Sequence, residues 1–149
     1  MMKRVVYAVI FSLALAKASN AAALTSKEYA MSGKATWAAF TCSALAGYAK
    51  KGEEQRRRLF DVGLSKGKLF LGAVKAKSIT RADIDNNVPF IVLTLLYGPS
   101  NDFTLGMIYK TAMDEASNDL KKRGVSFLDD EQLTREAGAL FSQQNCPLL

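Results

Sequence analysis

The sequence predicts an all-α fold: a single compact bundle of four to five helices, stapled by one disulfide. Three observations carry this. Apolar residues recur at three- and four-residue spacing through most of the chain after residue 21. Helix-capping residues and glycines punctuate that pattern at short intervals. Two cysteines, Cys42 and Cys146, lie near the two ends of the helical region.

The first element stands outside the fold. Met1 to Arg4 is a short basic start, and Val5 to Ala16 is an apolar run broken only by Ser12. Ser19-Asn20-Ala21 then supplies small residues at the last and third-last positions that a signal peptidase reads. Residues 1–21 therefore read as a cleaved signal peptide, with a second cut site after Ala21-Ala22-Ala23. The run is shorter than the roughly 20 apolar residues of a spanning helix, so no membrane anchor is expected after cleavage. Residues 22–149 form a single helical domain, placed in the periplasm or outside the cell.

The first helix starts near Thr25, which has capping-box spacing to Glu28. From Lys27 to Lys51 it carries Trp37, Phe40, Ala44, Leu45 and Tyr48 at helical spacing, with Gly33 as a weak point and Gly52 as the expected stop. The second helix spans about Glu53 to Lys77, with its acids in the first turn, as the helix dipole favours. Gly63 and Gly67 share a face there, a place where another helix could come close. Thr80 caps a short turn from Arg81 to Asn86, and Asn87 is expected to cap a buried segment, Pro89 to Tyr97. Its β-branched residues suit a strand, but Pro89 near the start favours a short helix. Ser100 caps the next helix, which carries Leu105, Ile108, Ala112, Ala116 and Leu120 in one stripe and stops at Gly124. Asp129 or Asp130 caps the last, with Leu133, Ala137, Leu140 and Phe141 on its inner side.

In an oxidising compartment, two cysteines in one small domain usually pair, so a Cys42–Cys146 bridge is expected; two free thiols are the alternative.

Composition excludes several chemistries. The chain has no histidine, which removes Ser-His and Cys-His nucleophile pairs and imidazole metal ligands. Loss of Lys3, Arg4 and Lys17 with the signal reduces the net charge from +6 to +3, which makes no case for nucleic acid. No cofactor motif is present. Ser65-Lys66-Gly67-Lys68 matches S-x-x-K, but the chain is too short for the enzymes that use it. Asp83, Asp85 and Asn87 begin like a calcium loop, but Val88 stands where glycine is needed and Thr94 where glutamate is needed. The carboxylates at Asp114, Glu115, Asp119 and Asp129 to Glu131 fit helix-start and surface roles.

Two surface features remain as candidate partner-binding sites. One is the turn bearing Tyr97, Ser100, Asn101 and Asp102, where aromatics flank small polar residues. The other is Arg56 and Arg57, in a basic run on the second helix. In architecture the chain resembles small exported helical proteins that bind and block a partner, such as immunity proteins against type VI secreted cell-wall amidases. The resemblance implies a non-catalytic inhibitor or envelope accessory protein whose partner is another envelope or secreted protein. A small Asp/Glu-dependent envelope hydrolase, or a self-associating component of a secretion or conjugation apparatus, are the competing expectations.

Overall fold

A computed structural model describes residues 23–149. The expected signal peptide lies outside the described residues. Among those described there are six α-helices and no strand: α1 (Ser26–Tyr48), α2 (Glu53–Lys75), α3 (Arg81–Asn87), α4 (Phe90–Thr94), α5 (Asn101–Lys122) and α6 (Asp130–Gln143), followed by a short 3-10 turn, Cys146–Leu148. No helix among them is long and apolar enough to cross a membrane.

α1 is the axis of the fold. It packs along α2 and also meets α3, α5, α6 and the C-terminal turn. A helix covered on several sides needs small or apolar residues around much of its circumference. Accordingly, Ala39 to Ala46 is buried without a break. α1 and α2 form an antiparallel hairpin, since Gly33 faces Phe70, Thr36 faces Gly67, and Phe40 faces Gly63. Further along, the Ser43 hydroxyl donates to the Arg56 carbonyl at 2.9 Å. The glycines at 63 and 67 do admit close helix approach, but within this chain. That face is buried and closed to a second copy.

The core falls into two clusters. One surrounds the Cys42–Cys146 disulfide and includes Leu45, Leu59, Leu120, Leu140 and Phe141. The other joins Phe40, Phe70, Val92, Leu105 and Ile108. The stripe expected on α5, from Leu105 to Leu120, is buried at every position named. Trp37 is partly buried against the second cluster.

Helix ends follow the expected capping chemistry with two corrections. Thr25, Thr80, Ser100 and Asp129 each accept a backbone N–H of the first turn that follows. Gly52 does not stop α1. Lys50 takes the left-handed conformation, with φ 50°, while the Lys51 N–H reaches back to the Ala46 carbonyl at 3.0 Å. Gly52 instead occupies the cap position of α2. Asn87 does not cap α4 either: it is the last residue of α3, and its side-chain amide donates to the Asp83 carbonyl at 2.9 Å. The Pro89–Tyr97 segment is helical for one turn only. Val92 is buried and Phe90 is 79% exposed, because a single turn with apolar residues all round cannot turn every one of them inward.

Asp83 ties α3 to α1. It accepts hydrogen bonds from the Ser26 and Thr80 hydroxyls, and the Thr80 N–H donates to the Ser26 hydroxyl at 2.8 Å. The Ser26 bond first, then Thr80, pulls the Asp83 carboxyl below its ordinary value of 3.8. A depressed carboxylate stabilises the fold above the unfolded value, and that contribution is lost as pH falls through the folded one. Asp83→Asn should therefore lower the melting temperature at about pH 7, with the difference shrinking as pH falls below the ordinary aspartate value of 3.8. Thermal melts across that range test this, and a constant difference between the two proteins would refute it.

Candidate functional site

The surface carries an open groove of about 570 Å³ between the end of α2 and the α4–α5 connection. Leu71, Val74 and Lys75 form one wall. Leu96, Tyr97, Gly98, Pro99, Ser100, Asn101 and Thr104 form the other. The connection is held firmly. Ser100 caps α5 through the Phe103 N–H at 3.1 Å, and the Thr104 hydroxyl donates back to the Tyr97 carbonyl at 3.2 Å. Gly98 sits at φ 136°, and a β-carbon there would lie 2.4 Å from the Phe103 ring. Only glycine meets both conditions. These contacts fix the backbone while the Tyr97 side chain stays 58% exposed. An aromatic on an already ordered turn has little backbone freedom left to lose on binding.

Of the expected partner-binding residues, Tyr97, Ser100 and Asn101 line this groove, whereas Asp102 is exposed beside it in the first turn of α5. Arg56 and Arg57 lie elsewhere. Arg57 and Lys75 stand eighteen positions apart on the helix, a rise of about 27 Å. Arg56 is engaged by Glu53, with hydrogen bonds of 2.8 and 2.6 Å, and borders a smaller groove of about 360 Å³ with Phe60, Asp61 and Tyr109. Arg57 reaches Asp61 only at 4.0 Å and is exposed. The sequence pointed to the stretch from Leu96 to Phe103 but not to Leu71, Val74 or Lys75 as site residues. Nothing local marks them, because the groove arises where α2 ends beside a turn some twenty residues further along the chain.

The smaller groove also has two carboxylates, Glu53 and Asp61, in its lining, about two helical turns apart on α2. The Arg56 hydrogen bond draws the Glu53 carboxyl below its ordinary value, so it is held ionised. A general acid needs the opposite shift. Four of the other acids considered have partners: Asp114 pairs with Lys110, Asp119 with Lys122 and Asp130 with Lys50, while Asp129 caps α6; Glu131 stands in the first turn of α6. Asp85 pairs with Arg81, which leaves the calcium-like spacing of Asp83, Asp85 and Asn87 serving turn and cap bonds. Ser65 and Lys68 lie exposed on α2. No protein family, curated protein or solved structure matches the chain.

Proposed function

We propose that this chain is an exported, non-catalytic binding protein of the bacterial periplasm, of the inhibitor, immunity or envelope-accessory kind, and that it engages its partner through the groove beside Tyr97. The observation that carries the reading is the exposed tyrosine on a turn fixed by Ser100, Thr104 and Gly98, in a groove whose walls include Leu71, Val74 and Leu96. Aromatic anchors over apolar pockets dominate protein–protein affinity. The buried Cys42–Cys146 bridge fits an oxidising compartment.

The test is capture from envelope extract with the purified, oxidised protein spanning residues 22–149, set against Tyr97→Ala. Loss of a hot-spot aromatic costs about 2 kcal/mol or more, roughly a 30-fold weaker complex. The expected result is one partner held by the parent protein and lost by the variant, with unchanged melting temperature. Turnover of a cell-wall or peptide substrate, abolished by Glu53→Gln or Asp61→Asn, would replace this reading with the hydrolase.

A further inference from the structure

We infer that the groove takes an acidic segment of a protein partner, one in which aspartate or glutamate alternates with apolar side chains; this deepens the binding-protein reading and rests on it.

Positive charge stands beside the apolar groove residues Leu71, Val74 and Leu96. From Val62 to Ala82 the chain carries Lys66, Lys68, Lys75, Lys77 and Arg81 and no acid at all. Only Arg81 of these forms an ion pair among the described residues. All four lysines are exposed: Lys75 and Lys77 stand at the end of α2 and just beyond it, where α2 forms one wall of the groove, and Lys66 and Lys68 lie about two turns earlier on the helix. The groove's ten lining residues include one cation, Lys75, and no carboxylate. Across from Lys75, the α5 N-terminus adds positive potential at Asn101. Asp102, exposed in that first turn, is the nearest acid in sequence and does not line the groove.

Shape separates the classes of acidic partner. A concave space of about 570 Å³ with Leu71, Val74 and Leu96 in its walls suits a few side chains of an extended peptide. A flat anionic membrane would meet the lysines and leave the groove empty. A polynucleotide would need several stacking aromatics, and this groove offers Tyr97 alone.

The experiment uses the oxidised protein spanning residues 22–149 and a fluorescein-labelled ten-residue peptide of alternating Glu and Leu. Controls are the same peptide with Gln for Glu, phosphatidylglycerol vesicles, and a labelled oligodeoxythymidine. Binding of the acidic peptide alone is expected, weakening as salt is raised. Lys75→Glu should weaken it about tenfold. Lys122→Glu, about 27 Å along α5 from Thr104, should leave it unchanged. Equal binding of the Gln peptide, tighter binding of vesicles or oligonucleotide, indifference to Lys75→Glu, or no binding at all would each overturn the acidic-segment proposal. The parent reading fails separately, on the Tyr97→Ala capture. A partner lost with Tyr97→Ala yet retained by Lys75→Glu would uphold that reading and remove this one.

Discussion

Replacing both cysteines, Cys42→Ala with Cys146→Ala, should cost the fold roughly 4–5 kcal/mol, the largest effect of any change considered for this chain. The bridge joins residues 104 apart, so in the unfolded chain it closes a loop that holds most of the domain. Removing it restores conformational freedom to the unfolded state, and the stabilising effect grows with the logarithm of loop length. On the folded side the bridge anchors the C-terminal turn to α1 inside the first core cluster, where Cys42 is 1% and Cys146 0% exposed. α6 leans on that anchorage, because its buried side comes down to Ala137, Leu140 and Phe141. At roughly 3–5 °C per kcal/mol for a domain of this size, the melting temperature should fall by about 15 °C. Amide exchange should rise first in α6 and the C-terminal turn. A double variant that melts within a few degrees of the parent would show that packing alone holds the C-terminus.

Most of the fold is legible in the sequence because helix signals are local. Thr25 with Glu28, Thr80, Ser100, and the α5 stripe ending at Gly124 each depend on neighbours within four residues. The centrality of α1 was also written there: between Lys34 and Lys50 no charged residue occurs, which suits a helix covered on several sides. The pattern of named apolar residues alone reads as one ordinary amphipathic stripe and misses this. What failed was conformational detail that several residues could satisfy. Lys50 and Lys77 adopt the left-handed conformation at helix ends, a state open to lysine at a modest cost that the Ala46 and Ala73 carbonyl bonds offset.

The candidate site was half legible. Tyr97, Ser100 and Asn101 stand out because a turn with a cap and flanking aromatics is a local pattern. Their opposing wall is not local. Leu71, Val74 and Lys75 look like the ordinary end of a helix until the α4–α5 connection is placed beside them. The Arg56 and Arg57 run lies away from this groove, and its pairing was not legible for a related reason. Charge along a sequence says nothing about pairing, and Glu53, three residues before Arg56, takes up its guanidinium.

Gly63→Leu should be the most damaging single substitution among the helical glycines, costing more than about 3 kcal/mol. A β-carbon at Gly63 would stand 2.4 Å from the Phe40 ring, inside any tolerable contact. Phe40 cannot yield: it is fully buried, and its ring lies 5.6 Å from Phe60 and 5.2 Å from Tyr109. Even Gly63→Ala should destabilise, because overpacking costs about 1–3 kcal/mol and outweighs the ~1 kcal/mol that alanine returns in helix propensity. At Gly67 the clash is 2.3 Å, but with the tip of Leu105, which can change rotamer, so Gly67→Ala should cost less than Gly63→Ala. Gly72 and Gly106 give the opposite sign. Both are exposed within helices, and a β-carbon at either meets nothing within 4 Å. Gly72→Ala and Gly106→Ala should each stabilise by about 0.5–1 kcal/mol, through propensity and a less disordered unfolded chain. Chemical denaturation of the five variants tests the ranking. If Gly63→Ala proved as stabilising as Gly72→Ala, α2 would not lie against α1 at the close distance that sets the shape of the bundle.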